Sequence, residues 1–254
     1  MSTTGELAFV VMVDRAYWSR FLVLYASLRK FHPETPILLY SYESLPETAG
    51  CQVFQVPGGH LWNILNRADV LRDAIGRYER IVFLGADTEL FGPIRQGILL
   101  LDCHDFVAVP HQSAPRADGN ELAAASCGIL NSDFQLWRRS ENSLHILNWY
   151  RQRIRISCAE TRQGVIDQLW LGLIPSLFPR CLAWRTSCYN VAYWNVDDYD
   201  LRMECGEWVT VGGPLMLYHY SGFVGPHILS RHCPVPPSGS VRVLYERYGR
   251  LLKG

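Results

Sequence analysis

An α/β fold built on one mostly parallel sheet is predicted by three features of this chain. Short apolar runs alternate with stretches of helical apolar spacing, the order expected when helices connect parallel strands. The runs are continuously apolar rather than alternating, as in strands buried on both faces. A length of 254 residues is enough for one large core without disulfides or structural metals.

Leu7 to Val13 reads as the first buried strand. The helix after it carries Phe21, Leu24, Tyr25 and Leu28 at helical spacing and ends at His32-Pro33. Pro36 to Tyr42 reads as a second strand and Gln52 to Val56 as a short third, followed by a helix with Ile64, Ala68, Leu71 and Ile75 on one face. The run Ile81 to Leu84 is the next strand, and it leads directly to the acidic residues Asp87 and Glu89. Beyond residue 105 a strand is expected at Phe106 to Val109, a polar loop from His111 to Glu121, and an apolar piece at Gly128 to Leu130. Leu144, Leu147, Tyr150 and Ile154 predict a helix, as do Val165, Leu169 and Leu173, and Pro214 to Tyr220 predicts a late strand. No repeat or linker divides the chain, so the expectation is one domain over 1–233, with halves at about 1–110 and 111–233.

The tail, 234–254, begins with a proline-rich break and continues into a short helix bearing Arg242, Arg247, Arg250 and Lys253 beside Leu244, Tyr245 and Tyr248. It has two readings: a peripheral helix at a membrane surface, or a helix packed on the domain.

Lys plus Arg and Asp plus Glu both number 24, a formal net charge of 0, which argues against a nucleic-acid partner. The first residues lack a basic n-region, and the apolar run from Leu7 meets Asp14 and Arg15 too soon for a signal peptide. The eight cysteines contain no C-x-x-C pair, so they read as reduced thiols of a cytoplasmic protein rather than as a zinc ribbon.

The strand that ends on Asp87 delivers a carboxylate to the edge of the sheet, where α/β folds open to ligand. Along an extended backbone residues two apart share a side, so Asp87 and Glu89 could aim two carboxylates at one hard cation. The alternative is a pair of solvated residues in a turn.

Several segments, spread over Leu7 to His232, resemble glycosyltransferases of the GT-A fold, most closely family 8, which includes glycogenin and the lipopolysaccharide galactosyltransferases. Val11-Met12-Val13-Asp14-Arg15-Ala16-Tyr17 is similar to the family's first strand and turn, which cradle the nucleotide base. The resemblance thus assigns Val13, Asp14 and Tyr17 to the nucleotide, with Tyr17 as a stacking ring. Arg67, opening a helix, matches a basic residue near the ribose and diphosphate. Phe83-Leu84-Gly85-Ala86-Asp87-Thr88 aligns with the family's D-x-D metal motif, with Ala86 beside the diphosphate, but Gly85 stands where the first acid belongs. Asp87 then holds the metal with help from elsewhere, or pairs with Glu89, or the metal is bound weakly or not at all. The first option, with Glu89 in an outer position, is favoured.

His219-Tyr220-Ser221-Gly222-Phe223-Val224-Gly225-Pro226 matches H-x-x-G-x-x-K-P, so His219 is the implied late metal ligand and Gly222 lies at the diphosphate. The lysine is replaced by Gly225, and Arg231 is the nearest substitute cation. Asn131-Ser132-Asp133 resembles the family's N-x-G element, with Asp133 replacing the glycine, and Asp167-Gln168 resembles its D-Q pair. Asn131, Asp167 and Gln168 are thereby implied in the donor-sugar and acceptor pocket.

The resemblance implies a nucleotide-binding first half, a donor and acceptor second half, and a manganese or magnesium ion as cofactor. It implies retaining transfer of a hexose-type sugar from a nucleotide sugar, UDP-linked by family default, to a glycan, glycolipid or protein acceptor. The implied setting is polysaccharide biosynthesis or lipopolysaccharide assembly, in the cytoplasm or at the inner face of the membrane. An inverting transferase using Asp133 or Asp167 as base, or a sugar-nucleotide or carbohydrate binder that has lost catalysis, are the competing readings.

Overall fold

The computed structural model describes residues 5–113, 115, 121–161 and 166–253. Val165, placed on a helix from its spacing, and part of the loop expected between His111 and Glu121 lie outside the described residues.

The strands in chain order are β1 (Gly5–Met12), β2 (Ile37–Ser41), β3 (Cys51–Gln55), β4 (Tyr78–Gly85), β5 (Thr88–Leu90), β6 (Phe106–Pro110), β7 (Leu130–Arg138), β8 (Cys181–Ala183), β9 (Arg202–Glu204), β10 (Glu207–Thr210), β11 (Gly213–Pro214) and β12 (Leu217–His219). The helices are α1 (Trp18–Phe31), α2 (Trp62–Leu65), α3 (Arg67–Arg77), α4 (Arg95–Leu100), α5 (Glu121–Ser126), α6 (Glu141–Thr161), α7 (Ile166–Leu171), α8 (Ile174–Leu177) and α9 (Gly239–Leu251).

Seven strands form the central sheet in the order β3-β2-β1-β4-β7-β6-β8. All neighbours are parallel except at β7, which runs antiparallel to both β4 and β6. Side chains alternate across the sheet, so β1 sends Ala8 and Val10 into one apolar cluster and Phe9 and Val11 into another. β4 does the same with Ile81 and Phe83 on one face and Val82 and Leu84 on the other. Helices α3 and α6 pack on the first face and α1 on the second, which is why residues 8–12 of β1 and 81–84 of β4 are apolar at every position.

Three details differ from the sequence reading. The helix expected to carry Ile64 through Ile75 is two helices, because a turn at Asn66 (φ −93°, ψ −9°) separates α2 from α3. The late strand splits into β11 and β12, which belong to different sheets. Strand β7, expected only as an apolar fragment, extends over nine residues through the middle of the sheet.

A third apolar cluster joins α9 to the segment around β12. Leu244, Tyr245 and Tyr248 are buried there, and the Tyr248 ring stacks on Tyr220 at 3.5 Å. No helix among the described residues is long and apolar enough to cross a membrane.

Candidate active site

Strand β4 ends at Gly85, and the chain turns at once, with the Thr88 hydroxyl donating to the Gly85 carbonyl at 2.8 Å. The next three residues form β5, which pairs antiparallel with β12 so that Thr88 faces His219. The Tyr220 amide donates to the Asp87 carbonyl at 2.9 Å. This small ladder brings a late segment of the chain against the end of β4, and it is the reason Asp87 and His219 meet: Nε2 of His219 lies 3.3 Å from Oδ1 of Asp87.

The third member of the group comes from β7. Asp133 Oδ2 is 3.7 Å from His219 Nε2, and one ligand atom from each of Asp87, Asp133 and His219 lies within 4.8 Å of the others. Two carboxylate oxygens and one imidazole nitrogen form a donor set suited to manganese, magnesium or a similar divalent cation. The ring orientation of His219 supports this, because its Nδ1–H donates to the Asn190 side-chain oxygen at 3.4 Å and leaves Nε2 toward the carboxylates. Burial alone would raise the Asp87 carboxyl, but the imidazole beside it prevails and holds it below its ordinary value. Burial likewise opposes charge on His219, and Asp87 overcomes it and raises the imidazole.

Glu89 does not join this group. Its carboxylate accepts from both terminal nitrogens of Arg247, at 2.8 and 2.6 Å, and from the Tyr220 hydroxyl at 3.0 Å. The expectation that Asp87 and Glu89 aim two carboxylates at one cation rested on an extended backbone between them. The turn between β4 and β5 breaks that geometry and sends Glu89 toward α9.

Two cavities meet at this point. The first, about 380 Å³, is lined by all seven residues read from the sequence as contacts to a nucleotide or diphosphate: Val13, Asp14, Tyr17, Arg67, Ala86, Gly222 and Arg231. Asp14 caps the turn after β1 by accepting from the Tyr17 amide at 3.0 Å, and the Tyr17 ring carries the Arg20 guanidinium 4.4 Å from its centroid. Gly222 has φ 67°, and a Cβ there would lie 2.5 Å from the Ser230 hydroxyl, so glycine is what this turn admits. Its carbonyl accepts from the Arg231 amide at 2.9 Å, which brings Arg231 to the cavity wall. Gly225 lines neither cavity.

The second cavity, about 610 Å³, is lined by Asn131, Asp167, Gln168, Tyr193, Trp194 and His219 among others. Asn131 donates to the Gln168 side-chain oxygen at 3.4 Å, and the Ser132 amide donates to the same oxygen at 3.2 Å. Asp167 is engaged by Arg67, Nη1 to Oδ2 at 2.7 Å, while Arg67 Nη2 lies 3.3 Å from Asp133 Oδ1. Arg67 is buried yet borders both cavities, so its charge is fixed in place by two carboxylates and shielded from water. Burial raises the Asp167 carboxyl, with Arg67 opposing.

Sequence reasoning did not single out His111. It lines the second cavity with its Nδ1–H donating to the Gly128 carbonyl at 2.8 Å and its Nε2 accepting from Asn131 at 3.2 Å. Burial pushes it down to about 4, so it is a neutral imidazole that orients the Asn131 amide.

No known sequence family and no curated protein matches the chain. Solved structures do. The galactosyltransferase LgtC, solved in complex with donor and acceptor sugar analogues, is similar over 97% of this chain and 95% of its own length, with a TM-score of 0.57 and 16% identity. A glycosyltransferase involved in glycosylation of the major capsid of PBCV-1 is similar over 84% of this chain and 93% of its own, with a TM-score of 0.52 and 12% identity. At these identities the likeness establishes the fold: a mixed α/β domain with a mostly parallel seven-stranded sheet, shared with GT-A glycosyltransferases.

Proposed function

We propose that the protein is a retaining glycosyltransferase that moves a hexose-type sugar from a nucleoside diphosphate sugar to a hydroxyl of a glycan, glycolipid or protein. A uridine nucleotide, membership of family 8 and a cytoplasmic role in surface-polysaccharide assembly are the finer parts of the proposal and rest on the motif resemblance. The observation that carries the reading is the approach of Asp87 to His219 where two cavities adjoin, Asp87 on the first and His219 on the second.

In this reading the base and ribose lie along Val13, Asp14 and Tyr17, the diphosphate near Arg67, Gly222 and Arg231, and the transferred sugar toward Asn131, Asp167 and Gln168. A manganese or magnesium ion held by Asp87 and His219 would offset diphosphate charge and make the nucleotide a better leaving group. Arg67 adds a positive charge already oriented before reaction, so little reorganisation is needed as the leaving group gains charge. Arg231, exposed at the rim, supplies the cation that the resemblance expects at Gly225. Asp167 acts on Arg67, holding the guanidinium fork in register.

The bond from the anomeric carbon to the diphosphate oxygen breaks, and a bond to the acceptor oxygen forms on the same face. The departing phosphate oxygen takes the hydroxyl proton. Retention rests on the motif resemblance; the candidate bases for inversion, Asp133 and Asp167, are both held by Arg67.

Donor hydrolysis and transfer with and without manganese test the proposal, with product configuration read by NMR. The expected result is metal-dependent release of nucleotide and a retained anomeric centre, and Asp87→Ala should reduce turnover about 100-fold or more while leaving the melting temperature nearly unchanged. Tight nucleotide-sugar binding without turnover would favour a binding protein, and an inverted product would reassign the base.

A further inference from the structure

We propose that Asp133 is the second metal-binding carboxylate of this site, supplied from β7 in place of a side chain at position 85, and that Gly85 is the residue that makes room for it. The proposal rests on the transferase reading for the ion's purpose, but its geometry stands independently. An ideal Cβ built on Gly85 would lie 2.8 Å from the Asp133 Cβ, 3.0 Å from its Cγ and 3.2 Å from Asp87 Oδ1. The Asp133 side chain thus fills the volume that a side chain at 85 would occupy, beside the Asp87 carboxylate.

The sheet register explains the exchange. Strands β4 and β7 pair antiparallel, with Leu84 opposite Phe134, so Gly85 and Asp133 are the next cross-strand neighbours. Opposed side chains ordinarily keep their Cβ atoms about 4.5–5.5 Å apart. A separation of 2.8 Å admits only one side chain at this step of the ladder. A carboxylate can enter from either strand, but not from both.

The two oxygens of Asp133 face different partners. Oδ1 is 3.3 Å from Arg67 Nη2, and Oδ2 is 3.7 Å from His219 Nε2. The Asp133 amide donates to the Asn131 side-chain oxygen at 2.9 Å, which fixes the backbone from which the carboxylate projects. A ligand at 133 therefore ties the ion directly to Arg67, a link that the carboxylate at 133 provides through its second oxygen.

The test is Mn2+ binding to the full chain, measured by the EPR signal of free Mn2+ with manganese chloride alone. Three variants are compared with the native protein: Asp133→Asn, Asp133→Gly, and the exchange Gly85→Asp with Asp133→Gly. The native protein should bind one Mn2+, and both single variants should weaken it at least about tenfold. The exchange should recover at least about fivefold over Asp133→Gly, because it restores a carboxylate in the volume that the loss of the Asp133 side chain leaves open. Asp133→Asn keeps the shape of the side chain and decides the matter alone should the exchange variant fail to fold. Native-like Mn2+ affinity in Asp133→Asn, no gain from a folded exchange variant, or no Mn2+ binding by the native protein would each overturn the assignment. Thermal shift with nucleotide sugars, run in parallel, separates this outcome from failure of the transferase reading.

Discussion

His111 shows how one side chain can link the site to the stability of the domain. Its two ring nitrogens have fixed and opposite duties, Nδ1 donating to Gly128 and Nε2 accepting from Asn131, and only the neutral ring can perform both. Its value of about 4 in the fold lies below the roughly 6.5 of an unfolded histidine. Between these values the unfolded chain takes up a proton that the folded chain refuses. The contribution of His111 is therefore complete above about pH 6.5 and is lost as the pH falls toward about 4, a span of about 3 kcal/mol at about 1.36 kcal/mol per unit. Urea unfolding of native protein and His111→Gln over this range should give a difference that grows with pH and levels off above about 6.5. A flat difference would mean that the ring titrates alike in the folded and unfolded chain, and a difference that falls with pH would mean that it is protonated in the fold. No sequence signal marked this residue, since a lone histidine after a strand acquires its partners only when β6 and β7 pair.

At the scale of elements, the antiparallel pair of β5 with β12 and the helix α9 form one support behind the site. Glu89 is nearly sealed from solvent, and Arg247 of α9 is its only cationic partner among the described residues. Arg247→Ala would leave a buried carboxylate with only the Tyr220 hydroxyl, at a cost of about 2 kcal/mol or more. Glu89→Gln in the same background should recover part of the loss, which chemical denaturation of the single and double variants would measure; additive effects would show that the two side chains act separately. The elements most readable from sequence were those whose task is burial, such as residues 8–12 of β1 and 81–84 of β4, where both faces are covered and every residue is apolar. Strand β7 was hidden because Asn131, Ser132, Asp133 and Gln135 interrupt its apolar pattern, and three of these line the second cavity. The polar residues that give the strand its cavity-lining end are those that conceal it. The two-residue period that joined Asp87 to Glu89 failed for a related reason: the chain turns at Asp87, and the period holds only along an extended strand.

The whole molecule closes its cleft with two distant parts of one chain. The ends of β1 and β4 provide Val13, Asp14, Tyr17 and Asp87, while the segment after β12 returns with Gly222 and Arg231 to the facing wall. The links that hold this return in place include the β5 and β12 pairing, the Tyr220 amide donating to the Asp87 carbonyl, Arg20 Nη2 donating to the Phe223 carbonyl at 2.7 Å, and the packing of α9. A nucleotide diphosphate sugar spanning the cleft would add contacts to both walls and so bind the folded state alone. At a concentration one hundred times the dissociation constant this stabilises by about 2.7 kcal/mol, and for a chain of this size each kcal/mol raises the melting temperature by about 2–4 °C. A rise of about 5–10 °C is therefore expected for the correct donor with manganese. A smaller rise is expected for the donor with chelator, because the diphosphate then meets the Asp87 and Asp133 carboxylates without an intervening cation. Arg231→Ala should reduce the rise with donor and manganese while leaving the melting temperature of the free protein within about 1 °C, since the side chain is exposed. Equal shifts with manganese and with chelator would separate nucleotide binding from the cation, and an unchanged shift in Arg231→Ala would remove the returning segment from the diphosphate site.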